Sequence, residues 1–288
     1  MGLVSGINRR TFITDLGRGA FAIAVLGSAL QACGSDDTQA ATTTGSPNIS
    51  TTSVPSSGSG GTKAPDTAPA ATSTTAAAAA ATSSTAPPID ASDPVAWERV
   101  NLGFVSAYIL ARAGEAMIVD TGVSGSEGAI EASLQDVGLE WGDVAHVLLT
   151  HLHNDHQGSF QAVLNLASDA AGYAGAADIP GIASPRELKA VGDGDTVFGL
   201  EIINTPGHTP GHISVLDPVG RLLVAGDALN GSNGGVVGAN QQFSPDMVSA
   251  DESVKKLAAL AIDTIVFGHG EPIESGAGDL LTALAASL

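Results

Sequence analysis

Hydrophobic positions are spread unevenly along the 288 residues. From Asp93 onward Val, Ile and Leu recur in short runs bounded by Gly, Pro and Asp, whereas Gly34 to Ser92 holds almost no large apolar side chain. Short apolar runs between turn formers have the pattern of buried strands. Two are predicted at Ala107 to Arg112 and Ala116 to Asp120, joined through Ala113-Gly114-Glu115 in a short hairpin connection. A helix should follow, with Ser126 as its cap, Glu127 in its first turn, Ile130 and Leu134 on one face and Gly138 at its end. Further strands are predicted at His146 to Thr150, Leu200 to Asn204, Ile213 to Asp217, Arg221 to Ala225 and Thr264 to Phe267. A second helix is predicted from Ser249 to Leu260, where Ser249 and Glu252 match a capping box. Strands come before helices in each half, an order that suits a layered sheet sandwich with helices on its outer faces.

Composition divides the chain. Residues 93–288, about 195 in number, are enough for one domain with a real core. The Ser, Thr, Ala, Gly and Pro of 34–92 cannot offset their conformational entropy by burial, and as a flexible coil of about 58 residues they would span roughly 40–45 Å. That stretch is expected to be a disordered tether.

The formal net charge is -19, and residues 93–288 carry seven Lys and Arg against 25 Asp and Glu. Polyanions are bound by clustered cations, so no nucleic-acid partner is expected and a small-molecule substrate fits better. The one cysteine, Cys33, lies before the foldable part, so no disulfide can form within the chain.

Residues 1–33 carry an export pattern. Asn8-Arg9-Arg10-Thr11-Phe12-Ile13 precedes the apolar block Gly19 to Leu30, which is short for a bilayer span. This resembles a twin-arginine signal. Leu30-Gln31-Ala32-Cys33-Gly34 is similar to a bacterial lipobox, in which the cysteine is lipidated and becomes the mature N-terminus, although Gln31 is an unusual choice there. The expectation is an exported lipoprotein on the outer face of the cytoplasmic membrane, anchored through lipid on Cys33; the alternative is a plain cleaved signal with an incidental cysteine.

The candidate chemistry starts at His151-Leu152-His153-Asn154-Asp155-His156, where the predicted strand His146 to Thr150 stops. In an extended chain His151 and His153 point the same way and can clasp one ion, while Asp155 and His156, a turn later, can reach a second. Three more candidates each follow a predicted strand and a glycine: His208 in Thr205-Pro206-Gly207-His208, Asp227 in Ala225-Gly226-Asp227, and His269 in Phe267-Gly268-His269-Gly270. Singly, each could be a core residue with satisfied hydrogen bonds; the ordered set at strand ends carries the expectation. His146 lies outside the pattern and is expected to pack. His212 either supports the site by hydrogen bonding or serves the structure alone. Gly231 to Gly238 has no strand or phosphate-loop context and is expected to be a flexible connection sooner than a substrate lid.

The order H-x-H-x-D-H, then H, D and H, between about Val100 and Ile273 resembles the metallo-β-lactamase superfamily, with a glyoxalase II-like ligand set. The resemblance implies an α/β fold, a four-layer αββα sandwich, and a metal-dependent hydrolase. On that basis His151, His153 and His208 hold one ion, Asp155, His156 and His269 hold a second, and Asp227 bridges them. Asp120, in Val119-Asp120-Thr121-Gly122, matches a family position that orients ligands without binding metal. Two divalent ions are implied, zinc first, with iron or manganese as alternatives because all accept imidazole and carboxylate. They would activate water against an ester, lactone or thioester carbonyl, with Asp155 doubling as a proton shuttle.

Subgroups separate in part. Cysteine-ligated β-lactamases are excluded by the cysteine count, and Asn230 stands three residues beyond Asp227 where typical quorum-quenching lactonases carry tyrosine. Only 19 residues follow His269, whereas glyoxalase II enzymes carry a helical C-terminal region for the glutathione thioester. A β-lactamase or phosphodiesterase of the same fold remains an alternative, as does a non-catalytic surface lipoprotein that binds or holds metal.

Overall fold

The structure, a computed structural model, describes residues 92–288. The signal expected over 1–33, Cys33 within it, and all but the last residue of the tether expected over 34–92 lie outside the described residues.

Alternating apolar residues pair first as an antiparallel meander, β1 (Ala96–Asn101), β2 (Ser106–Arg112) and β3 (Glu115–Val119). Ala113 and Gly114 turn between β2 and β3 with φ of +53° and +83°, the left-handed pair that a two-residue hairpin needs. β4 (Val144–Leu148), β5 (Ala171–Gly175) and β6 (Lys189–Val191) then join in parallel, which forces crossovers. Those crossovers carry α1 (Glu127–Asp136), α2 (Asn154–Gln157) and α3 (Phe160–Leu166).

A second sheet repeats the plan. β7 (Thr196–Val197), β8 (Leu200–Asn204), β9 (Ile213–Asp217) and β10 (Leu222–Val224) run antiparallel, and β13 (Thr264–Val266) joins β10 in parallel after α4 (Met247–Ala258). Before α4, β11 (Leu229–Ser232) and β12 (Gly235–Gly238) form a separate hairpin; α5 (Ala277–Ala285) follows β13.

The period of two along each strand sorts the core into three layers. Tyr108, Leu110, Met117 and Leu148 of the first sheet meet Leu200, Ile202, Ile213, Val215 and Val224 of the second. The opposite faces, Ile109, Ile118 and Val147 in one sheet and Leu216, Leu223 and Ile265 in the other, bury Ile130, Leu134 and Phe160, or Val254, Leu257 and Leu281, from the helices. Each buried Leu or Ile contributes about 1.5–3 kcal/mol. The result is the four-layer αββα sandwich, a mixed α/β fold.

Several expectations need correction. The helix expected from Ser249 begins at Met247, because Asp246 is the better cap: its carboxylate accepts from Ser249 N at 3.0 Å and from the Ser249 hydroxyl at 2.6 Å. Glu252 pairs with Lys255 at 3.2 Å instead of closing a capping box. Ser126 stands at the start of α1 but makes no side-chain cap bond. β4 starts at Val144 and ends at Leu148, leaving Thr150 in the loop. Gly231 to Gly238 is the β11–β12 hairpin and no loose connection: Asn233 and Gly234 turn it with φ of +51° and +76°, an Asn-Gly signal for a two-residue turn.

Candidate metal centre

Ligand candidates leave the carboxyl ends of β4, β8, β10 and β13, and Asp120 leaves that of β3, so both sheets deliver side chains to one edge of the sandwich. The turns are tight. Gly226 has φ of +56°, and a Cβ there would come within 2.7 Å of His212 Nε2. A Cβ on Gly268 would collide with Asp227 Oδ1 and His156 Cε1, so glycine at both places is what lets the ligand loops close.

Three groups of candidate ligands have their donor atoms within 4.8 Å of one another: His151, His153 and His208; His151, His156 and Asp227; and Asp155, His156 and His269. His153 Nδ1 lies 3.1 Å from His151 Nε2 and 2.9 Å from His208 Nε2. Asp227 Oδ2 lies 3.4 Å from His208 Nε2 and 3.3 Å from His269 Nε2, and Asp155 Oδ2 is 3.3 Å from the same His269 nitrogen. All seven expected ligands are therefore brought together at one place.

Hydrogen bonds behind the cluster fix the imidazole tautomers. Thr150 donates its hydroxyl proton to Asp120 Oδ2 at 2.8 Å, so its oxygen accepts from His151 Nδ1 at 3.0 Å. Ser244 donates to Asn240 O at 2.7 Å and accepts from His208 Nδ1 at 3.0 Å. His156 Nδ1 donates to Asp120 Oδ2 at 2.8 Å, and His269 Nδ1 to Phe104 O at 2.6 Å. Four rings thus turn Nε2 inward. His156 Nε2 and Asp227 Oδ1 are buried, have no hydrogen-bond partner among the described residues, and face each other at 3.4 Å. Such a gathering of imidazole nitrogens and carboxylate oxygens leaves buried polar groups unsatisfied, and its donor set fits a divalent cation, which would take the place of the protons on His156 and His269.

In the chain alone, electrostatics divide the four rings into two neutral ones and two that the carboxylates push toward the protonated form. Burial holds His151 well below the ordinary histidine range and His208 at about 4, so both are neutral near pH 7, the form in which an imidazole can take a metal. Burial opposes a charged His156, but Asp120 and then Asp227 outweigh it and raise its pKa. His269, hydrogen-bonded to Asp155 and then to Asp227, is pushed up to about 10. Burial of Asp227 works against its ionisation, yet His156, His269 and His208 hold its carboxyl well below the usual carboxylate range. The His269 hydrogen bond lowers Asp155 likewise.

Supporting residues divide into expected and missed. Asp120, at φ +62° and 2% exposed, accepts from Thr150 N, the Thr150 hydroxyl and His156 Nδ1, all at 2.8 Å, so it holds His156 directly and His151 by way of Thr150 and is not itself among the groups that could hold an ion. His212 accepts from Asp227 N, behind the cluster. His146 packs against Tyr173 and Phe198, its Nδ1 3.1 Å from the Tyr173 hydroxyl. Asp178 was not legible in the sequence: fully buried, it accepts from Leu152 N (3.1 Å), the Thr209 hydroxyl (2.6 Å) and Gly211 N (2.7 Å), tying the His151–His153 loop to the His208 loop. Ser244, Phe104 and Phe243 were missed too, having no spacing that links them to the histidines.

The family model described as the metallo-beta-lactamase superfamily matches residues 100–269. The chain belongs to that superfamily. It is a superfamily of metallo-hydrolases, whose members bind divalent metals, typically two. Among its relatives here is the metallo-beta-lactamase domain-containing protein 1 of Xenopus laevis, 34% identical over 54% of this chain and 66% of that protein. A hydroxyacylglutathione hydrolase of Alkalilimnicola ehrlichii is 34% identical over 49% of this chain and 52% of its own, so the chain spans about half of that enzyme. A metallo-beta-lactamase family protein from Thermus thermophilus shares the fold at a TM-score of 0.55 and 24% identity, over 67% of this chain and 78% of that one.

Proposed function

We propose that this chain is a metal-dependent hydrolase that holds two divalent ions and acts on a small-molecule ester, lactone or thioester. The observation that carries this is the inward-facing set of ring nitrogens and carboxylate oxygens, with His156 Nε2 and Asp227 Oδ1 buried at its centre without a hydrogen-bond partner. It supports a first ion held by His151, His153 and His208, a second by Asp155, His156 and His269, and Asp227 reaching both. Bound there, two divalent ions supply a lowered pKa for water and a polarised carbonyl. Zinc suits this nitrogen-rich set, and iron and manganese accept the same donors.

The residues of the chain do the rest. Asp120, Thr150, Ser244 and Phe104 O take the outward N–H protons, which aims each ring, and of these four only Asp120 brings a charge. Asp155, 31% exposed and lining the cavity, would carry a proton at Oδ2 toward the leaving group. The relative named a hydroxyacylglutathione hydrolase supports a thioester among the candidate substrates.

Elemental analysis of the purified chain beside a panel of esters, lactones, thioesters, phosphodiesters and nitrocefin tests the proposal. Turnover of an ester, lactone or thioester, abolished by a chelator and restored by metal, is expected. Activity confined to nitrocefin or phosphodiesters would reassign the bond that is cleaved. A metal-loaded chain inert on the whole panel would leave a metal-holding protein.

Arg9-Arg10 and the lipobox-like run ending in Cys33 support a further proposal, export and lipid anchoring at the outer face of the membrane, with residues 34–92 as tether. In the native host, Cys33→Ala should move the protein from the membrane to the soluble fraction. An unchanged membrane fraction would overturn the anchor.

A further inference from the structure

We propose that the substrate is uncharged away from its scissile carbonyl and carries an apolar substituent, aliphatic or aromatic, that packs against Phe104 and Phe243; this rests on the hydrolase function proposed above. A cavity of about 520 Å³ opens over the cluster, within the roughly 300–1,000 Å³ of small-ligand sites. Five phenylalanines lie among the described residues. Phe160, Phe198 and Phe267 are 0%, 5% and 0% exposed, whereas Phe104 and Phe243 are 64% and 57% exposed, and these two line the cavity. The fold gains little from rings left in water; a ligand that covers them gains their apolar area.

Their positions bracket the reacting centre. Phe104 stacks on His269, ring centroids 6.1 Å apart and planes 13° from parallel, and its carbonyl accepts from the same ring. Phe243 immediately precedes Ser244, which accepts from His208 Nδ1. His269 and His208 are the two histidines that reach Asp227 Oδ2, from 3.3 and 3.4 Å.

The wall beyond the ligand cluster offers amides and no cation. Asn240 spends its carbonyl on Gln242 N at 3.0 Å, leaving its amino group to donate, and Asn230 donates to Gly238 O at 3.2 Å, leaving its carbonyl to accept. No Lys or Arg among the described residues lines the cavity. Arg99 is engaged by Glu271 at 2.7 Å, the Ser106 hydroxyl and Gly270 O. A carboxylate held against this wall, away from the ligand cluster, would lose hydration and find no Lys or Arg to pair with, so substrates anchored through remote carboxylates, as in a glutathione thioester, are disfavoured.

The test is steady-state kinetics of the full, metal-loaded chain on 4-nitrophenyl esters from acetate to hexanoate and on a hexanoate bearing an ω-sulfonate, a poor metal ligand. With about two- to fourfold expected per methylene buried, kcat/KM for hexanoate should exceed that for acetate by at least about tenfold. The sulfonate should cost about tenfold or more. Phe104→Ala and Phe243→Ala should each cut the hexanoate-to-acetate ratio by at least about threefold, through KM, and Phe104→Leu should restore most of it. A flat series, a harmless sulfonate, or a ratio that survives both alanine substitutions overturns the proposal. If no ester, lactone or thioester turns over, it is the hydrolase function that fails, and calorimetric titration of the same protein with hexanamide and acetamide still decides the cavity's preference. Tighter hexanamide, weakened by both alanine substitutions, upholds the apolar site; equal affinities overturn it.

Discussion

The backbone N–H of Asp227 donates to His212 Nε2 over 3.0 Å, and the same ring gives its Nδ1 proton to Thr205 Oγ1 at 2.8 Å. Thr205 then pairs with Ser214 Oγ at 3.0 Å, and Ser214 donates to Ala225 O at 3.0 Å. The chain of bonds leaves the Ala225–Asp227 turn at one residue and returns at another. Burial holds His212 down at about 3, so it stays neutral and can accept as well as donate. His212→Ala should leave the Asp227 N–H buried and unpaired, costing about 1–3 kcal/mol of stability and about 10–100-fold in metal affinity. Thermal denaturation and metal titration check this. Unchanged metal affinity would reduce His212 to packing.

Removal of a ligand should separate metal from fold. Asp227→Ala and His153→Ala should each lower bound metal and cut kcat/KM by at least about 100-fold, while circular dichroism shows the αββα core retained. Chelation of the unaltered protein should lower its Tm, since metal at about 1,000 times its Kd contributes about 4 kcal/mol to the folded state. Turnover retained in either variant would sink the ligand assignment.

Asp178 offers a third test. It draws three donors from two loops into one buried carboxylate, so Asp178→Ala should cost about 3–5 kcal/mol and loosen His151, His153 and His208 together. Asp178→Asn keeps one acceptor and should recover part of the stability. The check is a denaturant melt of both variants beside their metal content; equal stabilities for Ala and Asn would show that the carboxylate geometry does not matter.

Tyr108 sets an alkaline limit. Its hydroxyl donates to Phe267 O at 2.8 Å, just before Gly268 and His269, and burial first of all pushes its pKa up to about 12. The unfolded phenol ionises near 10, so between about pH 10 and 12 the unfolded state releases a proton that the folded state keeps. Stability is fully present below pH 10 and falls above it, by about 2.7 kcal/mol at most. Tyr108→Phe should lose about 1 kcal/mol at neutral pH and flatten the alkaline decline. Denaturant midpoints from pH 8 to 12 measure both effects, and an equally steep decline in the variant would assign it elsewhere.

Much of the framework was legible because its signals are local. The period of two in β2, β8 and β9, the Ala113-Gly114 turn and the Ile130/Leu134 face each concern neighbours in the chain, and backbone geometry converts such spacing directly into exposure. β1, β5, β6 and β7 escaped notice. Small or polar residues fill much of their length, and pairing with a neighbouring strand is what makes them strands. The β11–β12 hairpin was hidden for a different reason: its Asn-Gly turn is a strong signal, but so many glycines around it mask the alternation.

The site divides along the same line. His151, His153, Asp155 and His156 share one short loop, so residue type and spacing by themselves select these side chains as candidate metal ligands. The sequence also supplies the glycines that precede His208, Asp227 and His269. Only the tertiary structure decided that the ends of four strands from two sheets meet at one edge, which nitrogen of each ring turns inward, and that Asp178 and His212 brace the loops from behind. It also decided that Phe104 and Phe243, 139 positions apart in the sequence, line the same cavity. Contacts of that kind depend on the stacking of whole sheets, which buries apolar faces without regard to separation along the chain, and no local pattern records them.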